Sequence, residues 1–310
     1  MIGMSWDYDL VIVGGGPGGL TAGIYAGRAR LKTLLVEKLI PGGQVMTTDL
    51  VENYPGFPEG VSGFDLSDRM RQQAERFGLE VLSGEALDLL PGPPHTLILE
   101  DRQFTAGAVI IASGSHYRRL GAPGEAEFTG KGVSYCATCD GALYRGHTIA
   151  VVGGGDTALT DALFLAKFAE KIHLIHRRDA LRGEKVLQER IFAQEKIQIH
   201  WHTVVEEIKG ADAVEAIRLK QVKTGEINTL PVTGVFVFVG VEPNTGWLKN
   251  RLAVDEWGFI RTDEHMATSL PGIFAAGDVR QKLLRQIATA VGDGAIAAFA
   301  VEHYLEQQQR

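Results

Sequence analysis

The chain has two cysteines, three residues apart, in Cys136-Ala137-Thr138-Cys139. Three kinds of chemistry use that spacing. A zinc site needs two further ligands at matching separations. No second cysteine pair exists, and His116 and His147, the nearest histidines, are not spaced as a ligand pair, so metal binding is not expected. Inert packing is the second reading, since a buried free thiol behaves as a small hydrophobe. The third is a redox pair: CxxC closes a short disulfide ring, and neighbouring N–H groups and a helix start stabilise a thiolate there. Asp140 follows at once. It is placed to move a proton on or off a thiol, or else to serve as a turn or cap residue before Gly141.

The next segment shows what the pair would work with. Thr148–Arg178 reads TIAVVGGGDTALTDALFLAKFAEKIHLIHRR, and Asp9–Lys38 reads DLVIVGGGPGGLTAGIYAGRARLKTLLVEK. Each has an apolar strand, a glycine turn, a helix-period stretch and a second apolar strand. At a constant offset of 139 residues, Gly14, Gly16 and Gly19 match Gly153, Gly155 and Ala158. Both copies fit the G-x-G-x-x-G/A dinucleotide fingerprint in its strand–turn–helix setting. The chemistry requires glycine because a pyrophosphate must approach backbone N–H groups at a helix N-terminus, where the dipole favours negative charge. The copies differ at the end of the second strand. Copy one has Glu37, which suits free ribose hydroxyls. Copy two has His176, Arg177 and Arg178, with Arg182 close behind, a cluster that suits a 2′-phosphate. Copy one is therefore expected to take FAD or NAD, and copy two NADP(H).

The remaining elements place these units in one architecture. Ala108–Ala112 and Val235–Val239 read as strands that each follow a copy at a similar remove, Ile273–Ala276 as another ending in Gly277-Asp278, and Arg285–Gln307 as a long helix. The fold class expected is α/β: two Rossmann-like three-layer domains, one inserted into the other. Residues 1–115 and 246–310 would form the split domain and 116–245 the insert. Glu242-Pro243-Asn244 is expected to turn at the second crossing. The balance of 31 basic and 38 acidic residues, net −7, with no Lys/Arg stripe, excludes a nucleic-acid partner. The longest apolar run, Val235–Val241, holds a glycine and is too short for a membrane span. MIGMSWDYDL has no secretory character, so a cytoplasmic protein is expected. Two nucleotide sites and a dithiol together make a relay: nicotinamide hydride, a flavin as intermediary, a disulfide as acceptor, each step moving two electrons.

GGGPGG, Glu37, Gly42-Gly43-Gln44, Glu52-Asn53-Tyr54-Pro55-Gly56, CATCDG, GGGDTA, HRRDxxR and Gly277-Asp278-Val279 with Arg285-Gln286 occur in this order over nearly the whole chain. In them the sequence resembles the low-molecular-weight bacterial thioredoxin reductase family. The resemblance implies an FAD domain split around an NADPH domain that carries the CxxC and rotates about two hinges, in a homodimer. It implies that Gly14, Gly16, Gly19, Glu37, Gly43, Gln44, Asn53, Gly277, Asp278, Arg285 and Gln286 hold FAD. NADPH would fall to Gly153, Gly155, Asp156, Thr157, His176, Arg177, Arg178 and Arg182. Cys139 would exchange electrons with the flavin, Cys136 would attack the disulfide of thioredoxin, and Asp140 would act as the acid. Thr160, Ser113 and Gly183 depart from common family residues. Two other functions stay open at this level: the same relay with NADH or ferredoxin as donor or another small disulfide protein as acceptor, and a flavin redox sensor without turnover.

Overall fold

The computed structural model describes residues 6–48 and 50–308. It divides into two compact units, one of residues 1–116 with 242–310 and one of residues 117–241. In the first, β1 (Tyr8–Val13), α1 (Pro17–Arg28) and β2 (Thr33–Glu37) form the opening βαβ element, followed by α2 (Gly63–Arg76) and β3 (Glu80–Ser83). A hairpin, β4 (Asp88–Leu90) and β5 (His95–Ile98), leads into β6 (Gln103–Ile111), and β7 (Ser115–Tyr117) leaves the unit. The chain returns along β16 (Val241–Pro243) and completes the unit with β17 (Ile273–Ala275) and α7 (Ile287–Gln308). The sheet order is β3-β2-β1-β6-β5-β4, with β17 also paired to β6. Strands β3, β2, β1 and β6 are parallel neighbours, and Val11 pairs with Leu34 on one side and Val109 on the other.

The apolar runs explain the layers. Leu10 and Ile12 face α1, α2 and α7 in one core, while Val11 and Val13 face Leu89, Leu97 and Ile273 in another. A parallel strand covered on both faces reads as a continuous hydrophobic run, as LVIV does. Helix α7 lies so close to α1 that a Cβ on Gly294 would strike the Gly18 carbonyl. The Ala- and Gly-rich first half of α7 permits that approach.

The second unit carries α3 (Glu125–Phe128), β8 (Val133–Ser134), α4 (Ala137–Asp140), β9 (Thr148–Gly153), α5 (Asp156–Leu165), β10 (Lys171–Ile175), α6 (Lys185–Ala193) and β11 (Ile197–His200). Next come β12 (Thr203–Gly210), β13 (Val214–Gln221), β14 (Ile227–Pro231) and β15 (Gly234–Phe238). Its central sheet is parallel, ordered β11-β10-β9-β15-β8. One face packs on α5 through Ile149, Val151 and Phe236, and the other on the antiparallel β12-β13-β14 through Ala150, Val152 and Val235. Both units are therefore Rossmann-like, and the fold class expected from sequence is the one found.

Two details differ from expectation. Glu242-Pro243 is not a turn: Val241–Pro243 is extended and pairs with β7. A residue before proline is driven to extended backbone, and β7 offers it hydrogen-bond partners. The final helix starts at Ile287 rather than Arg285, because the Gln286 N–H is taken by the Thr289 hydroxyl at 3.1 Å.

One histidine pair in the second unit contributes to acid sensitivity. His173 Nδ1 on β10 lies 2.8 Å from His200 Nε2 on β11, so one nitrogen must accept and be unprotonated. Burial, then the neighbouring His200, then Lys171 push His173 from 6.5 down to about 4. Unfolded chains take that proton near 6.5 and the folded protein only near 4, so stability is complete above 6.5 and lost as pH falls through this window. The expected loss is on the order of 2 kcal/mol. Melting temperatures between pH 6.5 and 4 should fall, and less steeply in His173→Gln; equal slopes would assign the acid sensitivity elsewhere.

Candidate functional site

Each unit presents one glycine turn, and the two turns have the same construction. In the first, Gly14 has φ +107, and a Cβ there would collide with the Ala112 carbonyl on the neighbouring strand. A Cβ on Gly19 would collide with the Gly14 carbonyl, so this position sets how closely α1 can meet the turn. Gly16, between them, faces no atom within 4 Å and caps α1 without a side-chain hydrogen bond. The second turn repeats this: a Cβ on Gly153 would meet Phe238 O and Ala158 Cβ, Ala158 is buried, and Gly155 faces open space at an uncapped helix start. In both turns the outer positions serve packing, and the middle glycine keeps the space before the helix N–H groups clear, as a phosphate site requires.

Around the first turn the chain gathers groups remote in sequence. Glu37 accepts from Gly15 N at 2.6 Å and Leu39 N at 2.9 Å. Gly42 N donates to Gly15 O at 2.7 Å, which brings Gly43 to within 3.1 Å, measured from its would-be Cβ, of Gly16 Cα. Gln44 donates to the Ser115 carbonyl. Asn53 donates to Gln286 across 233 residues of chain. Gly277 lies over the start of α1, its N 3.5 Å from where a Gly18 Cβ would stand.

Among the described residues two buried polar atoms have no partner, Oδ1 of Asp278, next to Gly277, and Nε of Arg285. Burial pushes the Asp278 carboxyl up against the opposing pull of Lys282 and Arg285, and Arg285 lies 3.8 Å over the Phe259 ring. Unpaired buried polar atoms are costly. Beside an open helix start they fit a ligand rich in hydroxyl and phosphate groups, so the residues present suit a bound dinucleotide.

The sequence reading missed the support under this turn. Asp293 on α7 accepts from Gly277 N at 3.0 Å, Lys282 Nζ at 2.7 Å and Arg280 Nη1 at 3.1 Å. All three charged side chains are nearly inaccessible. A carboxylate inside an Ala/Gly-rich helix was the available signal, since an acid on a buried helical face needs partners.

At the second turn, Arg177, Arg178 and Arg182 are exposed. His176 is not with them. Its ring is buried under Gly154, with Nδ1 2.9 Å from Gly153 O and Nε2 2.9 Å from Ala180 O. It joins the turn to the arginine segment instead of facing a ligand. That segment is held further by Arg182 N on Gly154 O at 2.7 Å and Glu184 N on Asp156 Oδ1 at 2.6 Å. Asp156 thus orients the loop, while Thr157 and Thr160 are exposed on α5.

Cys136 and Cys139 are joined by a disulfide across α4, Cα to Cα 5.4 Å. Cys136 caps the helix and is half-buried; Cys139 is exposed. Asp140 closes α4, and its charge reaches Tyr144, whose hydroxyl is pushed up by burial first and by this carboxylate second. Glu125, another residue the sequence reading passed over, is 3% exposed. It accepts from Leu120 N, Gly121 N and the Tyr135 hydroxyl at 2.7, 2.6 and 2.7 Å. Burial and that bond push Tyr135 up to about 12. Glu125 therefore ties the entering chain to the residue before Cys136. Among the described residues no cluster of three or more His, Cys, Asp or Glu could hold a metal, and no helix is long and apolar enough to cross a membrane.

Comparison with known proteins gives a family. Residues 8–294 match the profile of the pyridine nucleotide-disulphide oxidoreductases. The chain is 44% identical to the thioredoxin reductase of Bacillus subtilis, covering 97% of this chain and 96% of that protein. It is 46% identical to that of Listeria innocua, covering 97% and 94%. The crystal structure of Lactococcus lactis thioredoxin reductase superposes with a TM-score of 0.95 at 44% identity, covering 97% of this chain and 100% of that one.

The turn geometry separates two substitutions of like residues. Gly19→Val should cost about 3 kcal/mol or more by overpacking. Gly16→Val should cost only about 1 kcal/mol, the usual scale of a capping change, yet abolish dinucleotide retention. Thermal melts with and without added dinucleotide check both, and retention by Gly16→Val would remove the turn from the binding site.

Proposed function

The chain belongs to the pyridine nucleotide-disulphide oxidoreductase family, and on that premise we propose that it is a thioredoxin-disulfide reductase that carries electrons from NADPH through FAD to thioredoxin. Family members use a flavin and a pyridine nucleotide. The observation that carries the finer reading is the second unit: a disulfide-bonded CxxC, a dinucleotide turn and a surface arginine trio share one compact body.

In this reading residues 1–116 with 242–310 hold FAD. Gly14, Gly16 and Gly19 open the helix start to the pyrophosphate, and Glu37 faces ribose. Gly43, Gln44, Asn53, Gly277, Asp278, Arg285 and Gln286 close around the rest. The unpaired Asp278 Oδ1 and Arg285 Nε support this, since bound hydroxyl or phosphate groups would satisfy them. FAD, when bound, accepts hydride from NADPH and passes an electron pair to a disulfide.

Residues 117–241 hold NADPH. Gly153 and Gly155, with Asp156 and Thr157 at the helix start, take the pyrophosphate, and Arg177, Arg178 and Arg182 take the 2′-phosphate. His176 keeps the arginine segment on the turn.

The Cys136–Cys139 bond accepts two electrons and opens. Cys136, as thiolate, attacks one sulfur of the thioredoxin disulfide, and the other sulfur leaves as thiolate. Cys139 then attacks the Cys136 sulfur, the thioredoxin sulfur leaves, and the pair closes again. Asp140 supplies the proton for the departing sulfur. In sum, NADPH, one proton and a disulfide become NADP⁺ and two thiols.

The same reading includes a homodimer in the cytoplasm. Exposed Ile296 and Phe299 on α7 support a protein interface, and a dithiol in place of a structural framework suits a reducing compartment. Sedimentation should give twice the 33.6 kDa chain mass.

Cys136→Ser should abolish thioredoxin reduction while NADPH still bleaches the flavin; thioredoxin turnover in that variant overturns the assignment. Replacing Arg177 and Arg178 by Ala should raise the KM for NADPH about tenfold to hundredfold and leave NADH rates unchanged. A fall in both rates alike would remove the 2′-phosphate role.

A further inference from the structure

The Cys136 sulfur and its backbone are held by groups to which the relay above gives no part. Ser134 is 5% exposed and stands at the end of β8, in register with Phe236 of β15. Its hydroxyl oxygen accepts from Cys136 N at 3.1 Å and donates to Cys136 O at 3.2 Å. Both peptide groups of Cys136 are thereby fixed to a buried side chain. The sulfur itself accepts from Cys139 N at 3.2 Å and lies 3.5 Å from the Thr138 hydroxyl. A disulfide sulfur has no hydrogen to give, so the hydroxyl is the donor. Among the described residues, no hydrogen bond reaches the Cys139 sulfur.

The two sulfurs are therefore unequal before any electron arrives. Two-electron reduction breaks the S–S bond and, with one proton taken up, leaves one thiol and one thiolate. The reductant is the dihydroflavin of the proposed relay. The negative charge belongs on the sulfur that already has donors, because a hydrogen bond to an ionised acceptor is about twice as strong as one to a neutral acceptor. We propose that Ser134 and Thr138 make Cys136 the thiolate of the reduced pair. Thr138 acts as a catalytic residue that donates to the reacting sulfur. Ser134 is a positioning residue that holds the Cys136 peptide so that the Thr138 hydroxyl and the Cys139 amide stay aimed at it. The inference rests on the CxxC being the redox centre.

The test reads the thiols directly. The flavin-loaded protein is reduced with dithiothreitol, freed of reductant without air and alkylated with iodoacetamide over a range of pH. Mass spectrometry follows each cysteine. Cys136 should be labelled first in the unsubstituted protein. Thr138→Val should move its pH profile about one unit to the alkaline side, roughly tenfold slower labelling on the acid limb, and Thr138→Ser should restore it. Ser134→Ala should shift the profile the same way and narrow the rate gap between the two cysteines, with flavin absorbance unchanged. If Ser134→Ala does not fold, the Thr138 pair decides. Superimposable Thr138→Val and unsubstituted profiles, or Cys139 labelled first, overturn the proposal. Loss of thioredoxin as substrate would leave the alkylation profiles as they are, so the two readings fail separately.

Discussion

A helix start can hold a pyrophosphate only when nothing but backbone stands in front of it, and this single steric demand organises both units. It puts glycine where α1 and α5 begin and leaves those ends without side-chain caps. It also makes the flanking positions small, because Gly19 and Ala158 set how near each helix comes to its strand. The strands on either side must then be buried on both faces, which explains the unbroken apolar runs of β1 and β9. The cost is a set of uncapped helix N–H groups at each turn, the kind of groups that a bound anion satisfies.

Around those turns the protein uses buried and half-buried polar side chains as struts, and each is matched to its partners. Glu37 holds the first turn, His176 the second, Asp293 the Gly277 segment, and Glu125 the approach to Cys136. A buried carboxylate with two or three donors is rigid, since losing any one strands a charge. Asp278 is the contrast. It is half-buried beside the struts, yet among the described residues its buried Oδ1 has no partner. Glu37 and His176 occupy equivalent places in the repeat but do different things. The carboxylate accepts backbone N–H bonds, whereas the imidazole spans two carbonyls.

What was legible in the sequence was local. The strand–turn–helix units follow from apolar period and glycine spacing, which act over a few residues, and the 139-residue offset makes one copy evidence for the other. The fold class followed from them. The arginines of the HRRD segment stay at the surface because charge keeps them there. His176 was misjudged for the same reason in reverse. Among arginines it read as one more exposed cation, but its ring lies buried between two backbone carbonyls. The proline at 243 read as a turn because a single segment cannot show that another strand lies ready to pair with it.

By itself the sequence determined the elements and the chemistry available: two glycine turns, one dithiol, an arginine cluster on one copy only. These are set by short-range sterics and by residue type. Tertiary structure alone decided which groups meet across long separations, such as Asn53 with Gln286 and Asp293 with Gly277. It also decided which polar atoms go unpaired. Those outcomes depend on the summed packing of distant segments, where a shift of one ångström makes or breaks a hydrogen bond. No local pattern in the chain encodes them.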